Sequence, residues 1–490
     1  MALAAEQRSA DMAVILESER KTAKARIFLA AVYSVLILGA VTMVYPFAVM
    51  ISASLSSAYD YNRHSPVVRG FYDPADRFMR SLATYFRQFP RELYPDAPAG
   101  WTSWTRVADD REGVSAFYRA HVEPGAADRE LADALRSTPG AREAWLDELA
   151  ARDLGELGCN YDARDVAGFI RRKYGSLEAL NAAWPVRHRS FFDVTFSTES
   201  RQDQSRLEAT AKSADWNAFK RWYLERARAE GDYLSRTLPV KSAADWPRLR
   251  AALVAQFLDH GWRDFFRSCT ANYRQVGDYL FLRGRAFANT ILLVVLTILA
   301  SLTVNPLAAY ALSRFRLAAT EKILLFLLAT MAFPAAVTAI PGFLLIRDLG
   351  LLNTFAALVL PSVASGMSIF VLKGFFDALP RELYEAAAID GAGEWTVFRR
   401  ITLPLTTPIL AVNALNAFIH AYASWEWAFL VCQKESHWTL AVWMYQMSQT
   451  FAHQPWCVMA GFVVVSIPTA AVFLFCQKII MRGIVLPSMK

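Results

Sequence analysis

The residues whose types and spacing suggest chemistry lie at 375–408, FFDALPRELYEAAAIDGAGEWTVFRRITLPLTTP. The stretch is too polar to sit in lipid and too patterned for a plain connector. Glu382 to Ile389 is good helix-forming sequence, Gly391 can take the left-handed conformation that ends a helix, and Trp395 to Ile401 can form a second short helix before Pro404. Ala386, Ala387 and Ala388 leave part of the first helix without bulk, and Glu385 sets one charge beside them. That combination suits close docking of another protein's surface rather than bond-making. An amphipathic loop resting on a membrane surface is the bland alternative.

Other chemistry is sparse. ATP hydrolysis needs a phosphate-cradling GxxxxGK followed by Ser or Thr, which the sequence lacks. No metal-ligand spacing accompanies the 5 cysteines, and the 7 histidines are scattered. No catalytic residue is therefore assigned. Asn413, Asn416, His420 and Glu426 lie in or beside an apolar run, where polar groups are costly and normally face a bundle interior. They read either as lining a translocation path or as interhelical hydrogen-bonding partners.

The elements that must position these residues are apolar. The 490 residues are 54% hydrophobic with a mean hydropathy of +0.20, high for a soluble protein. Six segments clear the roughly 20 residues a bilayer core requires. They are Ile27 to Ser52, Ala286 to Ser313, Ile323 to Ile346, Phe355 to Phe376, Pro408 to Val431 and Val458 to Ile480. The first is too long for a cleavable leader, and Arg20, Lys21, Lys24 and Arg26 before it predict a cytoplasmic N-terminus, residues 1–26. With both termini inside, the inner loops carry Arg314, Arg316, Lys322, Arg381, Arg399, Arg400, Lys478 and Arg482, and the short outer loops only Arg347 and Lys434. The net charge of +7 is thus accounted for beside the spans, which argues against nucleic acid as a partner.

The loop carries a family likeness. Glu385-Ala386-Ala387, three residues, Gly391, nine residues, Ile401, one residue and Leu403-Pro404 resembles the EAA signature of bacterial ABC-importer permease subunits. Further stretches, Asn289-Thr290, AAYALSRF at 308–315, Leu349-Gly350-Leu351 and FFDALPREL at 375–383, look closest to the carbohydrate-type subfamily and the G subunit of maltose-type importers. The resemblance covers the first span and residues from about 288 to the end. It implies an all-α membrane protein with the six transmembrane helices of a type I importer permease and a five-helix core over 286–482. A cytoplasmic tail follows at 483–490, and the coupling loop spans 377–404. It also implies that Glu385, Ala386, Ala387, Asp390 and Gly391 dock in a separate ABC ATPase, which would bind ATP and Mg²⁺. The other implied partners are a second homologous permease, a periplasmic solute-binding protein and the lipid of the bacterial inner membrane, and the implied cargo is a sugar or oligosaccharide. Where members of the subfamily have Trp-Asn-acidic-Phe, this chain has Ser424-Trp425-Glu426-Trp427, and its ending IVLPSMK also departs from theirs.

Residues 53–285 form a large insertion between the first two spans, expected on the periplasmic side and mainly helical, with helices at Ala141 to Ala151, Ala163 to Tyr174 and Trp216 to Leu234. It holds 8 of the 14 tryptophans, either sugar-stacking faces or the core of a helical domain. Phe169 to Trp184 resembles a stretch of some microbial β-galactosidases but lacks the Asn-Glu pair of their acid. Cys159 and Cys269 in the insertion, and Cys432 and Cys457 in the last outer loop, read as disulfide pairs or as free thiols. The competing functional reading is a membrane-anchored glycan-binding or receptor module, with the insertion as the working part.

Overall fold

A computed structural model describes residues 23–483 apart from 156, 162, 185–186, 189–190, 192–193, 195, 197–210, 240–242, 283–284 and 316–318. Arg20, Lys21, Arg316 and the tail at 484–490 lie outside the described residues. The chain forms two compact units, residues 1–270 and 271–490. The division falls inside the helix Trp246–Gly277.

The first unit begins with the 32-residue helix Ala23–Ser54, whose most apolar window has a mean hydropathy of 2.5 and no buried residue. Beyond Ser54 the unit is built of short helices, with Ala211–Glu230 and the start of Trp246–Gly277 as the long ones, and among the described residues one antiparallel ribbon pairs Gly158 with Leu238 and Cys159 with Thr237. Helices form where the expected patterns lie, at Ala141–Ala151 and Ala163–Tyr174, while the third spans Ala211–Glu230. Starts are marked by local chemistry. Asp73 accepts from the Ala75 amide ahead of Pro74, and Asp110 accepts from the Gly113 amide.

The tryptophans mostly serve the core. Trp101, Trp104, Trp145 and Trp184 are buried, with Phe89 meeting Trp101 edge-on at 4.9 Å. The galactosidase-like stretch has a structural explanation. Its helix ends at Tyr174, Gly175 takes φ +72°, and Leu177–Ala183 follows, so that Tyr174 and Trp184 reach one carboxylate. Fully buried Asp215 accepts from the Tyr174 hydroxyl at 2.6 Å, from the Trp184 indole at 2.8 Å and from Lys173. Burial, with Asp215 beside it, pushes the Tyr174 hydroxyl up to about 12. Cys159, Cys269 and Cys432 are free thiols. Cys432 also packs in a different apolar cluster from Cys457.

In the second unit Ala286–Arg314 is the central helix, packed along Gly366–Asp377 and Thr407–Ala423. Only three described helices are single, long and apolar enough to cross a bilayer: Arg26–Ser54, Ala286–Arg314 and Pro455–Gln477. Two bent pairs raise that to five, Phe355–Ser362 with Gly366–Asp377 at 50° and Glu394–Leu405 with Thr407–Ala423 at 82°. The expected third span instead forms Thr320–Thr330 and Ala335–Asp348, of 11 and 14 residues, either side of 331–334. Pro334 is the cause: it has no amide hydrogen to donate, and it disfavours a helical Phe333. The expected fifth span likewise stops at Ser424, before a separate Trp425–Val431 helix.

Replacing Asp215 with Ala removes the acceptor of the Tyr174 and Trp184 donors, while half-exposed Lys173 loses little. Thermal or denaturant unfolding of the full chain is expected to show a loss of about 2–3 kcal/mol; a change below about 0.5 kcal/mol contradicts the assignment of Asp215 as the hub of this module.

Candidate functional site: the 377–404 loop

The loop is built on a short helix, Arg381–Ile389, that Pro380 precedes and Gly391 ends. Gly391 has φ +75°, the Ala392 amide bonds the Ala387 carbonyl at 2.9 Å, and the Gly391 amide bonds the Ala388 carbonyl at 3.1 Å. This is a Schellman ending, which needs a left-handed residue at the position Gly391 fills. Open space surrounds a Cβ built on Gly391, so its conformation, not crowding, demands glycine.

The helix has two faces. Glu385, Ala386, Ala388, Ile389, Asp390 and Gly391 are exposed, with Ile389 left 86% accessible. Ala387 differs from its expected companions. It is 7% exposed and packs inward with Tyr384, Phe398, Tyr310 and Phe376, so the bare methyl patch facing outward is Ala386 and Ala388.

The inward face meets the end of the Ala286–Arg314 helix. Arg314 lies over the Tyr384 ring at 4.2 Å from its centroid and 3.6 Å from Glu394. One turn earlier, the Tyr310 hydroxyl donates to Glu394 at 2.5 Å, and its ring meets Phe398 at 5.0 Å. Ser313 donates to Asp377 at 2.6 Å and Lys373 does so at 2.5 Å, fixing the loop's entry. Tyr384 also reaches Thr402 at 3.3 Å in a buried contact. Tyr310, Arg314, Tyr384 and Glu394 were not assigned to this site from sequence. The usable signal was the i, i+4 pairing of Tyr310 and Arg314 at a helix end, inside the family stretch AAYALSRF.

After Glu394–Val397 the chain widens into a π-turn at Phe398–Thr402, continues as Leu403–Leu405, and turns through 82° into Thr407–Ala423. Thr402 and Thr406 are buried at this break, and the Thr406 hydroxyl bonds the Thr402 carbonyl at 2.7 Å.

The structure separates the four polar residues beyond it. Asn413 is buried and donates to Ser301 at 3.4 Å. Ser301 in turn accepts from Asn305 at 2.9 Å, and Asn305 accepts from the Ser365 amide at 2.9 Å. Asn413 is thus a member of a buried interhelical network. Asn416 and His420 are exposed one turn apart on the same helix, and Glu426 is exposed on the next.

The family described as "Binding-protein-dependent transport system inner membrane component" matches residues 304–485. The diacetylchitobiose uptake system permease protein NgcG of Streptomyces coelicolor is 31% identical over 199 residues, covering 40% of this chain and 66% of that one. The maltodextrin transport system permease protein MdxG of Bacillus subtilis is 30% identical over 226 residues, 45% of this chain and 81% of its own length. A solved bacterial ABC transporter involved in import of the acidic polysaccharide alginate aligns at 27% identity with a TM-score of 0.38, covering 43% of this chain and 79% of that one.

If Glu394 pins the loop, Glu394→Ala frees Tyr310 and Arg314. Amides at 384–392 then exchange about tenfold faster, a local loss of roughly 1.4 kcal/mol. Mass-spectrometric hydrogen exchange reads this, with the middle of the Ala286–Arg314 helix as the unchanged reference; unaltered loop exchange contradicts the tie.

Proposed function

We propose that this chain, which belongs to the family of binding-protein-dependent transport system inner membrane components, passes ATP-derived motion into its spans through the Arg381–Ile389 helix. It is a multi-pass permease subunit of an ABC importer for sugars, in the bacterial inner membrane. A separate ATPase docks on the exposed face, with Glu385, Ala386, Asp390 and Gly391 in contact and Ala387 behind them holding the helix to its own core. ATP and Mg²⁺ belong to that ATPase. A second homologous permease encloses the path, and a periplasmic solute-binding protein delivers the sugar. The supporting observation is two-sidedness: an exposed face carrying two carboxylates, small methyls and Ile389, backed by a face that Arg314 grips at Tyr384 and that packs in one cluster with Tyr310.

In the proposed topology six crossings leave both termini cytoplasmic, with the broken pair Thr320–Thr330 and Ala335–Asp348 as one of them. The 53–285 insertion is then periplasmic. Asn416, His420 and Glu426 are exposed from or beside the Thr407–Ala423 segment, where exposure to lipid is costly; they line the path or meet the second permease. Asn413 acts instead as interhelical glue.

Glu385 is exposed, so Glu385→Arg leaves the chain folded while reversing the charge at the docking face. With the partners reconstituted in vesicles, sugar uptake is expected to fall about tenfold or more, a coupling loss of about 1.4 kcal/mol. Gly391→Val, which strains the left-handed ending, should act in the same direction. Full uptake by both variants overturns the coupling assignment.

A further inference from the structure

Beyond the Ala23–Ser54 helix, the described residues of the first unit bury or half-bury their aromatics with one exception. Among the described residues of 53–270, the large hydrophobics left exposed are Val67 (51%), Phe71 (38%), Tyr72 (59%), Leu131 (48%), Trp262 (48%) and Phe266 (52%). All but Leu131 come from two short segments that meet. Phe71 lies 4.9 Å from Phe265 and 6.1 Å from Phe266, and Trp262 stacks on Phe266 at 5.8 Å. Arg77 sits 3.8 Å over the Trp262 ring and donates to the Gly70 carbonyl at 2.9 Å, holding the two segments together. A Cβ on Gly70 would strike the Phe265 ring at 2.4 Å, so glycine is what lets them approach.

The position of this patch is fixed by buried Arg80. Its guanidinium donates to the Leu55 carbonyl at 2.5 Å, to Ser268 at 2.8 Å and to Asp60 at 3.0 Å. Leu55 directly follows the Ala23–Ser54 helix and packs on Val68, Phe265 and Cys269. Leu55 is four residues past the exposed span residue Ile51, about 6 Å along a helix. The patch is therefore clamped to the end of the apolar helix.

We propose that Val67, Phe71, Tyr72, Trp262 and Phe266 form a membrane-interface foot that rests in the lipid headgroup and upper acyl region. The inference depends on Ala23–Ser54 spanning the bilayer, and deepens the functional reading by giving the insertion a fixed seat on the membrane. The composition fits that depth. Trp and Tyr present an apolar body with a polar tip, Phe and Val supply insertion, and Arg77 is placed to meet anionic headgroups. Continuity with the lipid-facing helix favours lipid over a protein occupant.

The test uses the full chain in vesicles of phosphatidylethanolamine and phosphatidylglycerol, with nitroxides on Tyr72→Cys, Phe266→Cys and, as the aqueous control, Leu131→Cys. All three positions are exposed, so the labels need no repacking, and the helical circular-dichroism signal of each labelled chain reports whether it is folded. Oxygen, which partitions into lipid, is expected to relax the Tyr72 and Phe266 labels at least about threefold more than a water-soluble nickel chelate, relative to Leu131. Labels at Tyr72 and Phe266 that behave like Leu131 place the patch in water and overturn the proposal. Labels shielded from both relaxers mean a protein surface covers it, which overturns it equally.

Discussion

The architecture depends on what happens at the end of the Ala286–Arg314 helix, where a guanidinium, two phenol rings and a carboxylate lock the loop to a span. Arg314 grips Tyr384, which belongs to the loop's first helix, and approaches Glu394, which begins its second. Tyr310 reinforces the second contact. Because one helix end holds both limbs, the proposed docking on the exposed face would pass a push to the central helix. The break at Thr406, with its 82° bend leading into Thr407–Ala423, lies next along the chain.

Broken helices in a bilayer carry a constraint of their own, since each break frees backbone groups that lipid cannot satisfy. The chain meets it with side chains from neighbouring helices. Asn305, just before Pro306 in the central helix, accepts the Ser365 amide where the Phe355–Ser362 and Gly366–Asp377 pair bends, while Ser301 links Asn305 to Asn413. At the other end Asn289 donates to the Ser436 and Trp438 carbonyls, and Thr290 accepts the Leu440 amide. The central helix thus supplies polar anchors along its length, and its neighbours can be irregular because it is regular.

Much of this was legible because the family stretches have local physical jobs. Asn289-Thr290 pins the 436–440 turn, Gly350 at φ +69° ends a helix, and Asp377 of FFDALPREL accepts from Ser313. Gly391 was readable from its type alone, since the helix ending permits little else. Burial was harder to read. Ala386, Ala387 and Ala388 are identical in the sequence, and only the packing partners Tyr310 and Phe398, distant in the chain, reveal that the middle one turns inward. Apolar length likewise could not distinguish a straight span from one broken at Pro334 or bent at Ser362, because hydropathy ignores where backbone hydrogen bonds are interrupted. In the insertion, tryptophan content suggested either sugar faces or core; Trp101, Trp104, Trp145 and Trp184 are core, while Trp262 is left exposed with Arg77 over its ring.

The central claim is that the exposed face of Arg381–Ile389 is where the ATPase docks. Cysteine cross-linking in the assembled importer tests it most directly, with Ala386→Cys or Ala388→Cys on the exposed face paired against single cysteines across the ATPase surface. The account predicts a cross-link from these positions whose yield changes when ATP is added. Absence of any such cross-link, alongside one from Lys434→Cys on the opposite side of the proposed topology, would contradict it.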